Sequence, residues 1–239
     1  MKFKELFFEQ FRAWRPVEIA WMLSSLFAIL ALSLFWKDNF IGITAALTGM
    51  MYTVLAGKGK VSCFLFGLIN TPLYAYISFK NGFYGDFSLN IFYFVMMFPG
   101  LITWGRNQAK TSEEGVARTR LTFRGRIILL AVCAFCVFVY WNILRYLGGN
   151  EPFCDSITNV LSIAAMLLTV RRAIEEWILW IVVNAVEVLM WTRAYMEGSG
   201  SISVLLMWLL FLANGIYILS LWCRLPATAS TPDSIKKHG

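Results

Sequence analysis

The stretch IILLAVCAFCVFVYWNILRY (127–146) holds one charge, Arg145, in twenty residues. As a helix it would span about 30 Å, the thickness of bilayer hydrocarbon, which takes about 20 residues to cross. Immediately before it lies RNQAKTSEEGVARTRLTFRGR (106–126), which is polar, strongly basic and free of long apolar runs. That segment divides the chain into two halves. Outward from it, seven further apolar runs occupy roughly 17–36, 39–56, 61–79, 84–105, 154–170, 175–195 and 201–223. The expected fold is an all-α integral membrane protein with eight transmembrane helices. Composition agrees. Of 239 residues, 59% are apolar and 15% charged, whereas a soluble domain carries about 25% charged residues.

Residues 1–16 read as an interfacial amphipathic helix. Phe3, Phe7, Phe11 and Trp14 recur at three- and four-residue steps among Lys2, Lys4, Arg12 and Arg15. Residues 17–36 form an extra transmembrane helix, too long for a signal-peptide core and lacking an Ala-x-Ala site. A first triple of helices covers 39–105, a loop 106–126, a linker helix 127–146, a second triple 154–223 and a tail 224–239. Of the 21 Lys and Arg, only Lys37, Lys80, Arg145 and Arg193 fall on one side of this arrangement. The other seventeen fall on the opposite side, which the positive-inside rule makes cytoplasmic. Both termini are therefore expected in the cytoplasm. The net charge of +7 is explained by topology and by anionic lipid headgroups, and no nucleic acid is required.

Several activities are disfavoured. Cys133 and Cys136 form a C-x-x-C, but a single pair inside an apolar span lacks the further ligands of a zinc site and reads as packing. His238 is the only histidine and sits in the tail. There is no Gly-rich phosphate loop and no acidic pair with metal-binding spacing. A lipid-modifying enzyme would need a cluster at the interface, and Asp86 and Glu113 or Glu114 fall on opposite faces of the membrane. No enzyme and no cofactor is expected.

The two triples match each other. A shift of 114 residues carries Lys58 onto Arg172, Phe66 onto Trp180 and Asn70 onto Asn184, so FGLIN (66–70) aligns with WIVVN (180–184). The single helix between the triples makes both begin from the same side. The repeats are then parallel, a 3+1+3 core that transporters use. Asn70 and Asn184 are deep polar residues at matching sites, which favours function over helix–helix glue. Asn90, Asn214, Thr44, Thr48, Tyr52, Tyr74 and Tyr93 add further polar groups to the spans. Glu187, three residues after Asn184, is costly in hydrocarbon and is the one deep acid available for proton coupling. Trp177 suits an aromatic belt at the membrane surface. Trp180 lies deeper, and with Asn184 one turn on it offers an indole wall and an amide, the pair a flat aromatic ligand wants.

The segments AGKGKVSCFLFGLINTPLYAYISFKNGFYGDFSLNIFYFV (56–95) and RRAIEEWILWIVVNAVEV (171–188) resemble the bacterial PnuC transporters of nicotinamide riboside. The likeness rests on a Lys-rich turn, an FGLIN-like helix, a YGD turn, an LNxxY helix and a WxxWxxxN helix, and it covers about 39–224. The resemblance implies a fold similar in outline to the SWEET sugar transporters. It also implies homotrimers and facilitated diffusion of nicotinamide riboside across the inner membrane, with trapping by a cytoplasmic riboside kinase. It puts Trp180, Asn184, Asn70 and Phe66 in the substrate pocket, Trp177 at its edge, and Asn90 and Tyr93 nearby. Where such proteins have a proline and a glutamine after LNxxYF, this chain reads FVMMFPG (94–100), with Pro99 at a shifted position. The alternative reading is a proton-coupled carrier of another vitamin or a sugar, with Glu187 as its acid.

Overall fold

The structure is a computed structural model that describes residues 14–35, 40–80, 84–108, 117–148, 151–197 and 202–224. The amphipathic helix expected at 1–16 lies, but for Trp14, Arg15 and Pro16, outside the described residues, as do the tail from 225 and the middle of the basic loop. Among the described residues there are eight α-helices: α1 (Pro16–Phe35), α2 (Phe40–Gly57), α3 (Cys63–Lys80), α4 (Tyr84–Gln108), α5 (Phe123–Tyr146), α6 (Pro152–Arg171), α7 (Glu175–Met196) and α8 (Ile202–Arg224). The fold is an all-α membrane fold. Among the described residues, six of the helices are long and apolar enough to cross a bilayer, and α3 and α7 are the two not among them. These two carry Asn70, Asn184 and Glu187, and each is enclosed by its sequence neighbours. α3 packs between α2 and α4, and α7 between α6 and α8. A helix shielded from lipid on two sides can hold polar groups that a lipid-facing helix cannot.

One end of the bundle is basic and tightly tied. Lys58, after α2, pairs with Glu18 in the first turn of α1 at 2.7 Å. Gly59 adopts a left-handed φ of 70° in the turn that leads into α3. The indole of Trp104, near the end of α4, donates to the Thr169 carbonyl near the end of α6 at 2.8 Å. The indole of Trp222, near the end of α8, donates to the Gly57 carbonyl at the end of α2 at 2.6 Å. Arg126 in α5 pairs with Glu175 at the start of α7 at 2.9 Å. The starts of α1, α3, α5 and α7 and the ends of α2, α4, α6 and α8 thus share this end, so successive helices run in opposite directions.

Part of the basic loop is structural. Thr119 donates its N–H to the Arg172 carbonyl at 2.9 Å and accepts from the Ile174 N–H at 3.0 Å. Arg172 takes a left-handed φ of 62°, unusual for a residue with a side chain, as the cap that ends α6. Its guanidinium donates to the Ala117 carbonyl at 3.1 Å, which helps hold the turn.

The main apolar core gathers near this end. Phe64 meets Trp104 edge-on with centroids 5.1 Å apart, and Trp177 meets Trp222 edge-on at 5.7 Å. Gly100 has no side chain where Phe64 presses against α4, and a Cβ there would collide with the ring. Among the described helices α5 packs along α6, with the Arg126–Glu175 pair tying its start to α7, and most of its apolar side chains are exposed. All five cysteines are free, with Cys133 buried and Cys136 exposed.

Candidate functional site

The α7 helix starts at Glu175 and presents Trp180 and Asn184 four residues apart, hence one turn apart on one face. Trp180 is half-buried against the main core. Its ring lies 6.2 Å from that of Tyr93 in α4, tilted by 59°. Asn184 is 7% exposed, and its side chain makes no hydrogen bond to another described residue. It packs beside Gly215 of α8, whose missing side chain leaves it room. Trp180 and Tyr93 thus bring an indole wall and a phenol together between α7 and α4, with the Asn184 amide one turn along the same face of α7.

Other expected site residues behave differently. Phe66 is half-buried and packs on the same core as Trp180 and Tyr93. Asn70 donates from Nδ2 to the Ala45 carbonyl of α2 at 2.7 Å, a helix–helix contact. Asn90 is buried and donates to the Asp86 carbonyl of its own helix at 2.8 Å. Trp177 is 4% exposed, which removes it from any aromatic belt, because its ring is enclosed against Trp222. Its Nε1–H has no hydrogen-bond partner among the described residues. Glu187 is half-buried toward the other end of α7, within electrostatic reach of Asp86 in the first turn of α4 and Asp155 in the first turn of α6. Among the described residues no three His, Cys, Asp or Glu side chains are close enough to hold a metal ion. Thr44 and Thr48 donate to carbonyls of their own helix, and Asn214 accepts from the Trp21 indole at 3.0 Å, tying α8 to α1.

Sequence reading missed three features. Tyr52 of α2, noted only as part of a polar stripe, points its hydroxyl at the Met166 sulfur at 3.9 Å across the junction of the triples. Glu176, in the first turn of α7, is wholly buried. Lys60 is also buried, at the turn before α3. The signal for Glu176 was present in the letters: it stands four residues before Trp180 and so shares its face. A crevice of about 20 Å³ lies elsewhere, among Trp14, Trp21, Lys58, Asn214 and Tyr217. It has room for a water molecule and none for a nucleoside.

The family model described as "Nicotinamide mononucleotide transporter" matches residues 39–224. A nicotinamide riboside transporter PnuC of Neisseria mucosa is 36% identical over 222 residues, covering 91% of this chain and 84% of the relative. The protein of the same name from Haemophilus influenzae is 27% identical, covering 89% of this chain and 92% of the relative. That from Escherichia coli is 29% identical, covering 74% and 83%. A solved crystal structure of the vitamin B3 transporter PnuC superposes with a TM-score of 0.78 at 34% identity, covering 90% of this chain and 94% of the other.

Proposed function

Because the chain belongs to the nicotinamide mononucleotide transporter family, together with the PnuC riboside transporters, we propose that it carries nicotinamide riboside passively across the bacterial inner membrane. The family is one of transporters, and the chain is not an enzyme. The observation that carries the substrate assignment is the α7 face. Trp180 supplies an electron-rich wall for a flat cationic pyridinium, Tyr93 stands beside it, and Asn184 holds an amide free to read a carboxamide or ribose hydroxyls.

In this reading all eight helices cross the membrane, supported by their alternating direction, and the basic end with both termini faces the cytoplasm. The core consists of two parallel triple-helix repeats. Support comes from reciprocal contacts between the triples. The third helix of each sends an indole N–H to a carbonyl at the end of the other's first helix, through Trp104 to Thr169 and Trp222 to Gly57. Each of those indoles receives, edge-on, an aromatic ring from the first turn of its own middle helix. Tyr52 and Met166, which touch, stand 114 residues apart, the repeat distance itself. The protein works as a homotrimer with one path per subunit, and a cytoplasmic riboside kinase draws substrate inward by phosphorylating it.

The test is uptake of nicotinamide riboside by purified protein in liposomes after ionophores have collapsed the proton gradient and the membrane potential. Uptake to equilibrium is expected. The pyridinium charge couples to potential by about 2.3 kcal/mol per 100 mV, so potential biases accumulation without being required. Strict dependence on a proton gradient would overturn passive transport and favour the proton-coupled reading, for which Glu187 with Asp86 and Asp155 nearby is the relevant group.

A further inference from the structure

Glu175 and Glu176 are neighbours in sequence and opposite in circumstance. The Glu175 carboxylate accepts the Leu121 N–H at 3.2 Å and pairs with the Arg126 guanidinium at 2.9 Å. Glu176 is 0% exposed, and among the described residues neither of its carboxylate oxygens has a hydrogen-bond partner. Tyr52 of α2 and Cys63 of α3 lie within its electrostatic reach, and Thr169 of α6 lies beside it. The Thr169 hydroxyl is directed elsewhere, to the Ala165 carbonyl at 3.0 Å. Burying a carboxyl group without partners is costly, and inside a membrane bundle such a group marks a substrate or ion path.

Its place on α7 says which path. Trp180 stands four residues on and Asn184 eight, about 6 Å and 12 Å along the helix axis and on the same face. Glu187, eleven residues on, completes three turns of the same stripe. From the basic end outward this face reads carboxyl, indole, amide, carboxyl. The surrounding charge makes the inner carboxyl matter. Lys58, Arg118, Arg126 and Arg172 crowd that end, and a cation leaving through it meets like charge. Glu18 is taken by Lys58 and Glu175 by Arg126. Among the described acids of this end, Glu176 alone makes no ion pair.

We propose that Glu176 is a specificity-determining residue for the inner half of the path. It is the counter-charge that the pyridinium ring meets between the Trp180–Asn184 face and the cytoplasm, once the basic ends of α3 and α7 part. This rests on the riboside reading above. It makes the protein prefer cationic over uncharged nicotinamide nucleosides in the translocation step, beyond any preference in binding.

The experiment compares initial uptake rates of nicotinamide riboside and of its 1,4-dihydro form, which has the same groups and an uncharged ring, in a single liposome preparation. The ratio of the two rates is independent of how much protein folds. Glu176→Gln should lower the cation-to-neutral ratio about tenfold, and Glu176→Asp should keep it near the wild-type value. Calorimetric affinity for the riboside should change less than about threefold in both. An unchanged ratio in Glu176→Gln, or an equal fall of both rates in the Gln and Asp variants, would overturn the proposal and leave the riboside reading standing. A wild-type protein that carries neither compound would overturn the riboside reading and this proposal with it.

Discussion

Removing the indole at position 180 tests the site most directly. Trp180 sits half-buried with its ring 6.2 Å from that of Tyr93, so Trp180→Ala takes away one wall without touching the phenol. A cation over an indole from which water is excluded is worth up to about 2 kcal/mol. At about 1.4 kcal/mol per decade, that is about a thirtyfold loss of affinity for nicotinamide riboside. Asn184→Leu keeps the volume of the side chain and deletes its polar atoms. The amide makes no bond to a described residue, so its loss removes only what a ligand would gain. Ligand groups left unpaired cost about 1–3 kcal/mol, or about tenfold to a hundredfold in affinity. Trp180→Phe keeps a ring and should lose less. Trp177→Phe should change affinity little, because Trp177 packs on Trp222 at the basic end. The assay is calorimetric titration on monodisperse protein, with thermal unfolding followed in parallel. If both residues only pack the core, Trp180→Ala and Asn184→Leu will lower stability while the surviving protein binds with wild-type affinity. That pattern would refute the assignment and move the search to Asn70 and Asn90.

Three other outcomes are expected. Trp222→Phe removes a buried indole–carbonyl bond of 2.6 Å and leaves the Gly57 carbonyl unpaired, so it should cost about 1–3 kcal/mol in a thermal or denaturant unfolding measurement; an unchanged midpoint would mean that the basic end is not held as described. Nicotinamide mononucleotide should neither bind nor be transported by the purified protein, since the α7 face has no basic residue near Trp180 and Asn184 to meet a phosphate dianion and the buried Lys60 lies at the turn before α3; efficient transport of the monophosphate would contradict the site. A single cysteine introduced as Gly115→Cys in the basic loop should resist a membrane-impermeant thiol reagent in intact cells and react after permeabilisation, and labelling from outside would reverse the proposed orientation.

The spans were legible because hydrocarbon is an unforgiving solvent, and α5, with most of its apolar side chains exposed, is its plainest product. The enclosed helices α3 and α7 were harder to read, because their side chains answer to neighbouring helices that no local window contains. Asn70 and Asn184 are the instructive pair. A shift of 114 residues superposes them as letters, yet Asn70 bonds the Ala45 carbonyl of α2 while Asn184 makes no bond to a described residue. The difference has a physical source one helix away. Gly49 of α2 lies against the Asn70 amide, and a Cβ there would come within 2.9 Å of Nδ2. The same shift carries Gly49 onto Ile163 of α6. A glycine lets the amide nest against a neighbouring backbone, whereas a β-branched side chain at the matching position offers no such approach. One of two sequence-equivalent asparagines is thereby engaged in helix packing, while the other makes no bond to a described residue. The same reasoning yields a reciprocal consequence. Gly49→Ala should crowd Asn70 and perturb the α2–α3 contact, lowering thermal stability, while leaving riboside affinity at the α7 face nearly unchanged. A large loss of affinity at wild-type stability would instead put Asn70 in the substrate site.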